Sequence, residues 1–399
     1  MKSICIIELD FHPECIFGLA QIFDKCQSFD NLIFQFITRH EIYDIIKDAV
    51  PEKEELLWTL CPNNMLHAHC IKNNLDLIHA SDLIFVNTIS QSVHAYLPLK
   101  GKPVVLRIHN INKFFNPAQH LIIPENWTDV YKLTKFLIKE ILVQNYFKDL
   151  KKIKDIITVY SFPEPEMLKY ALDNFPELTP SNTSILPLKI HTGSLSKKRE
   201  NTSNDVNFSM IGRLNPYFKD ISLIIKVLSK LSTEKLDRKV NLYFVGCGNE
   251  LKTMSRIKSY ENEYLTFHFI EKRLSQKDYV SHLKQMDCII CLMKRKFHVG
   301  AFVEFYGQTK ITGNLSDIAL SPTPMIMPSF YFSSKEPIPG VMMYENEIDL
   351  VSWIKNLVQN SQLLTDKNRE IEYSSNERYG LKTVTSHLNK LLKILPLNA

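Results

Sequence analysis

Across residues 206–328 one order recurs: an apolar run of strand length, a glycine turn, polar or basic residues, then a stretch with helical spacing. VNFSMI breaks at Gly212 and places Arg213 and Lys219 in the turn before the amphipathic ISLIIKVLSKL. VNLYFV breaks at Gly246 and Gly248, whose missing Cβ lets the chain reverse tightly between strand and helix. A third run, DCIICLM, leads through KRKFHVGAFVEFYGQTK into TGNLSDIALSPTPMIMP, where Thr312 or Asn314 suits a helix cap. Strands that alternate with helices in this way build a parallel sheet covered by helices, an α/β class of fold.

The layout is Rossmann-like. Ligands of open parallel sheets gather at the carboxyl ends of the strands, where helix N-termini favour anions. Gly212, Arg213 and Lys219 fall there, so a diphosphate is the expected guest. The first half repeats the alternation, with strands expected at 3–9, 31–37, 83–88, 103–110 and 155–161, a helix at 13–25 and a long helix at 129–150. The polar stretch 191–205 reads as a linker. Helices are expected at 347–360 and 380–394. The domains are then 1–190, 205–375 and a C-terminal helix within 376–399, with a ligand cleft expected where two domains of similar size face each other.

Composition narrows the class. A chain of 399 residues that is 45% hydrophobic can bury two ordinary cores. A formal charge of +5 without aromatic-basic repeats argues against a nucleic-acid partner. The eight cysteines lack the spacing of a disulfide framework, and Cys288 and Cys291 lie in an apolar run with no second pair, so neither a metal nor a redox role is expected. The first apolar run, SICIIEL, is too short for a signal peptide, and no stretch reaches the ~18 to 20 residues of a membrane span. A cytoplasmic location is expected.

The motifs of the second half resemble those of glycosyltransferases of the GT-B fold, closest to the retaining family 4 type. The family's G-R-L and following lysine resemble Gly212, Arg213, Leu214 and Lys219; its V-G-x-G turn resembles Val245 to Gly248; its glutamate-x-aromatic-glycine loop resembles Glu304 to Gly307. A second family glutamate, eight residues on, has no counterpart, because Thr312 stands there. Alignment from Pro324-Met325-Ile326 puts Asp317 in its place.

The resemblance implies two Rossmann-like domains facing across a cleft, with the last helix crossing back to the first. It implies donor phosphates on Arg213, Lys219, Gly212 and the amides of Thr312, Gly313 and Asn314, the nucleotide and sugar near Gly246, Gly248 and Asp317, and Glu304 on sugar hydroxyls from the loop above. Fixed cations stabilise the diphosphate charge that grows as the glycosidic bond breaks. With no D-x-D triplet, catalysis without a metal or other cofactor is expected.

In the first domain, RIHN places His109 after a strand, where the family's histidine lies near the transferred sugar. Asp10 and His12 in ELDFHPE either meet the acceptor hydroxyl, one of them as general base if the reaction inverts, or cap the next helix. Residues 131–155 carry seven lysines against three acids. They form either a sheet-packing helix or a basic amphipathic one on the inner face of the cell membrane, where lipid-linked acceptors are found. The expected activity is transfer of a hexose from a nucleotide-diphosphate sugar to a glycan or lipid-linked acceptor, in bacterial surface polysaccharide synthesis. The alternatives are a sugar-nucleotide epimerase of the same fold and a catalytically silent scaffold copy.

Overall fold

The computed structural model describes residues 2–26, 32–191, 193, 204–217, 219–332 and 337–394. Most of the expected linker at 191–205 lies outside the described residues. The chain divides into two compact units, one of Met1–Ile190, Lys296–Ile311 and Leu381–Ala399, the other of His191–Arg295 and Thr312–Gly380.

The first unit holds strands β1 (Lys2–Glu8), β2 (Leu32–Arg39), β3 (Leu56–Cys61), β4 (Leu83–Val86), β5 (Val104–Arg107), β6 (Val159–Phe162) and β7 (Thr183–Ile185). They form one sheet in the order β3-β2-β1-β4-β5-β6-β7, parallel throughout. Its middle strands β4, β5 and β6 are buried along their whole length, as expected where helices cover both faces. The order reverses between β1 and β4, so their carboxyl ends frame the crevice where such sheets bind ligands.

The second unit begins with β8 (Val206–Ile211), β9 (Val240–Val245), β10 (Leu265–Ile270) and β11 (Cys288–Ile290). The chain then leaves it for the antiparallel hairpin of β12 (Lys296–Val299) and β13 (Phe302–Phe305), and returns for β14 (Met325–Pro328) and β15 (Val341–Tyr344). The second sheet runs β10-β9-β8-β11-β14-β15, again all parallel. Its switch point lies between β8 and β11.

Three expectations are corrected. The hairpin 296–311 is counted by sequence in the second domain, but the backbone bonds Ile111 N–H to Thr309 O (3.0 Å) and Ile122 N–H to Ala301 O (2.9 Å) tie it to the first. The long helix at 129–150 is two: Trp127–Phe136 continues as a wide π-type turn over Leu137–Val143, and a left-handed Asn145 (φ +50°) starts Tyr146–Ile156. Asparagine tolerates that conformation better than other non-glycine residues, so the break is encoded locally. The third is Cys61, which is joined to Cys70 by a disulfide that the spacing had not suggested.

The last helix, Leu381–Ile394, belongs to the first unit, and its Thr385 hydroxyl donates to Cys26 Sγ at 3.2 Å. The preceding helix, Ser361–Tyr379, stays in the second unit, so the change of unit falls at Gly380, within the segment expected as one C-terminal piece.

Candidate active site

In the second unit the expected donor residues gather at the carboxyl end of β8. Gly212 turns with φ +98° and donates its N–H to Val245 O at 2.8 Å, which docks the turn onto β9. A Cβ there would come within 3.6 Å of Lys219 Cε and Nζ, so the ammonium lies against the bare turn. Lys219 Nζ also donates to Ile211 O at the strand end. Lys219 is half-buried at the turn, and that burial lowers its pKa. Arg213 stays exposed, with its Cγ 3.6 Å from the Cβ position of Gly248. Gly246 (φ +64°) and Gly248 (φ +72°) turn the end of β9, and the Gly246 amide donates to Ile270 O. The Gly212 to Lys219 and Gly246 to Gly248 turns are thus brought together.

The third group is differently arranged. Thr312 caps a single helical turn, Gly313–Ser316, its hydroxyl accepting from Asn314 N–H at 3.4 Å. Thr312 N–H donates to the Tyr331 hydroxyl and Leu315 N–H to Thr312 O. The amides of Thr312 and Asn314, expected to face phosphates, are therefore engaged within the chain. Asp317 is buried and accepts a 2.6 Å hydrogen bond from the Tyr279 hydroxyl. Asn314 Nδ2 donates to the free, buried Cys291 at 3.5 Å.

Glu304 sits elsewhere than the sequence suggests. It lies in β13, 0% exposed, and its carboxylate accepts from the backbone amides of Asn112 (3.3 Å) and Lys113 (2.8 Å) at the start of the helix Ile111–Phe115. Burial raises its pKa to about 7 against the lowering effect of Thr309 and those amides. It holds the hairpin to the first unit rather than presenting oxygens from an open loop.

The first unit carries a second constellation at the ends of β1, β4 and β5. His109 Nε2 lies 3.0 Å from Asn87 O. A carbonyl only accepts, so Nε2 carries the proton and Nδ1 keeps its lone pair. Burial holds the His109 pKa well below the usual range, helped by His12 and Arg107, so the ring is neutral at physiological pH. Its ring stacks on His12 at 5.6 Å with 4° between planes. Burial pulls His12 down, but Glu14 and Glu8 outweigh it and its pKa is raised.

The capping reading of Asp10 and His12 fails. His12 occupies the cap position of the helix Pro13–Lys25 but makes no side-chain cap bond, and Asp10 instead accepts from Ser90 N–H at 2.8 Å.

Several residues here had not been singled out from sequence. Glu8, fully buried, accepts from Asn87 Nδ2 and from the Thr88 hydroxyl (2.9 Å), and burial lifts its pKa to about 8. Arg107, buried at the end of β5, donates to Asn87 Oδ1 at 3.0 Å and is pulled to about 10 by burial. Lys310 donates to Asn110 Oδ1 at 3.0 Å. All but Lys310 end strands β1, β4 and β5 or follow them directly, and strand-end position is the signal that could have found them.

Among the described residues one group could hold a cation: His12, Glu14 and Cys15, whose donor atoms lie within 4.8 Å of one another. Burial pushes the Cys15 thiol far up, which disfavours the thiolate a metal needs.

The two all-parallel sheets with their helices, the second turned by Gly212 at its switch point, define the GT-B fold. The chain is similar over 98% of its length to the whole of the HepE protein of Anabaena, solved in complex with UDP and glucose, at 11% identity and a TM-score of 0.63. It is equally similar to a glycosyltransferase of Rickettsia africae (11% identity, TM-score 0.63, 100% of this chain and 99% of that one). TarM of S. aureus, solved as a point mutant with fondaparinux, α-GlcNAc-glycerol and UDP, matches at 12% identity and a TM-score of 0.62 over 99% of each chain. No protein-family model matches the sequence, and no curated protein does.

Proposed function

We propose that this protein is a glycosyltransferase that moves a hexose from a nucleotide-diphosphate sugar to a glycan or lipid-linked acceptor. The observation that carries the reading is the turn after β8, where Lys219 Nζ is set against the bare Gly212 and beside the Ile211 carbonyl, with Arg213 exposed next to it. That turn has the chemistry of a diphosphate cradle, and three similar structures support the class: two of them hold UDP and the third is a glycosyltransferase.

In this reading Arg213 and Lys219 take up the charge of the departing diphosphate without a metal. The neutral His109 offers Nδ1 as a hydrogen-bond acceptor to a sugar hydroxyl while Asn87 fixes its ring. The reaction in this reading is retaining, a course that needs no enzymatic base in the usual sense; were it inverting, Asp10 or His12 would be the base. Asp317, held by Tyr279, stands near the nucleotide as a positioning residue. Bacterial surface polysaccharide assembly, on the inner face of the membrane, is the process this chemistry serves. Among the described residues no helix is long and apolar enough to cross a membrane.

The test is release of the nucleotide from UDP-, GDP- and CMP-sugars in the presence of EDTA, with products analysed. Transfer to an acceptor supports the reading. A C2-inverted sugar nucleotide would favour an epimerase, and no turnover of any donor would favour a silent copy.

A further inference from the structure

The helix Ile111–Phe115 starts two residues after His109, and its first amides need acceptors that the helix itself cannot supply. The hairpin excursion supplies them. Ile111 N–H donates to Thr309 O at 3.0 Å, and the amides of Asn112 and Lys113 donate to the Glu304 carboxylate. The Asn112 side chain adds a 3.0 Å bond to Val303 O. Asn110 occupies the cap position of the helix yet makes no side-chain cap bond; its Oδ1 accepts instead from Lys310 Nζ at 3.0 Å. Each of the residues 110–113 that follow His109 is therefore bonded to a residue within 303–310.

Lys310 is itself fixed in place. In the turn after β13 its N–H donates to Phe305 O at 3.2 Å and its carbonyl accepts from Gly307 N–H at 2.9 Å. Its ammonium lies 5.2 Å from the centre of the Phe297 ring, a cation–π contact. The side chain is half-buried, and that burial lowers its pKa. An apolar side chain would avoid the cost of burying a cation but would leave Asn110 Oδ1 without its donor. Burial is the main cause that keeps His109 neutral, and the Lys310 charge adds to it after His12 and Arg107. Glu304 and Thr309 satisfy amides that any helix start exposes, whereas Lys310 grips the side chain of the residue joined directly to His109.

We propose that Lys310 is a positioning residue of the candidate active site: by holding Asn110 it fixes the chain that follows His109, so that the ring keeps its Nε2–H on Asn87 O and its Nδ1 lone pair for a sugar hydroxyl. The sugar hydroxyl rests on the transferase reading; the placement of the ring does not.

The test compares the full wild-type chain with Lys310→Met, Lys310→Arg and Asn110→Ala. Each is examined for the His109 ring N–H proton by NMR, assigned by its loss in His109→Gln, for nucleotide release from UDP-, GDP- and CMP-sugars, and for the UDP-induced thermal shift. Lys310→Met is expected to lose the ring proton to faster exchange and to lower kcat about tenfold, short of the ~100-fold that a misplacement of ~1 Å can cost. Donor KM should stay within about twofold and the UDP shift intact, since the ring and not the donor site is disturbed. Asn110→Ala cuts the same bond from the other side, so it should show the same losses and add nothing when combined with Lys310→Met. It also decides the matter should Lys310→Met fail to fold. Lys310→Arg, which keeps a charged donor, should retain the ring proton and most of the turnover. An unchanged ring proton and kcat in Lys310→Met overturns the proposal. Losses in Lys310→Arg as deep as in Lys310→Met also overturn it, because they assign the effect to packing on Phe297, and so do additive losses in the double variant. No nucleotide release by the wild type would remove the transferase reading, and the ring proton alone would then decide whether Lys310 places His109.

Discussion

The carboxylate of Glu304 accepts a 2.8 Å hydrogen bond from the amide of Lys113, a residue 191 positions earlier in the chain. This bond, with its partner at Asn112, anchors the excursion of residues 296–311 to the first unit. Removing the acceptor leaves two buried amides without their partner, at a cost of about 1 to 3 kcal/mol each if water cannot replace it. Glu304→Ala should therefore lower the unfolding free energy by a few kcal/mol. Glu304→Gln, which keeps an acceptor oxygen, should lose about half as much or less. Denaturant titration of the two variants makes the comparison, and equal losses would contradict the anchoring role.

Glu8 and Glu304 give stability a pH dependence of unusual sign. Both carboxyls are lifted in the folded chain, to about 8 and about 7, largely by burial. The folded state therefore binds protons more tightly than the unfolded one between the ordinary carboxyl range and those values. The contribution of these two groups is fully present below about pH 4, where both are protonated in either state, and falls as pH rises towards 8. Glu8→Gln, which mimics the protonated form, should flatten the slope of Tm against pH between 5 and 8. A slope unchanged by Glu8→Gln would show that Glu8 is charged in the folded chain.

Gly18 lies inside the helix Pro13–Lys25 where a Cβ would stand 1.7 Å from Leu188 O. Alanine normally strengthens a helix interior relative to glycine by about 1 kcal/mol. Here the clash wins, because the atom met is backbone. Gly18→Ala should destabilise by about 1 to 3 kcal/mol, the usual cost of overpacking. A raised Tm would mean that the helix and the Leu188 segment separate easily.

His109 is neutral across physiological pH, since burial holds its pKa well below the usual range. His109→Ala should reduce turnover by about a hundredfold, the lower end of what one positioned catalytic side chain contributes. Nucleotide affinity should stay within twofold, because His109 lies in the first unit and the diphosphate turn in the second. The pH profile of the wild type should show no ionisation assignable to His109 between 6 and 8. Loss of nucleotide affinity in His109→Ala would contradict this division of labour.

Much of this architecture was legible because buried parallel strands write themselves as apolar runs. The central strands β1, β8, β9 and β14 could be read directly. Apart from the hairpin strands β12 and β13, the strands that escaped, β3, β7, β10 and β15, are the four edges of the two sheets. Edge strands pair on one side only and need less apolar sequence: β10, LTFHFI, is only half-buried at four of its six positions. The glycine turns were legible because positive φ leaves few other residues. Glu304 was misplaced because the F-V-E-F-Y-G stretch fits a loop motif equally well as a strand, and only the tertiary bonds to Asn112 and Lys113 decide between them. The Glu8, Asn87 and Arg107 network was invisible for the same reason, since its members lie far apart in the chain.

The central claim is that the turn after β8 binds a diphosphate, and calorimetric titration of UDP, with GDP and CMP as comparisons and EDTA present throughout, tests it most directly. Binding of one nucleoside diphosphate by the wild type is expected, at least tenfold weaker in Arg213→Ala and in Lys219→Met, both with unchanged Tm in the absence of ligand. No binding by the wild type, or equal affinity in Arg213→Ala, would contradict the account and return Arg213 and Lys219 to the status of surface and structural cations.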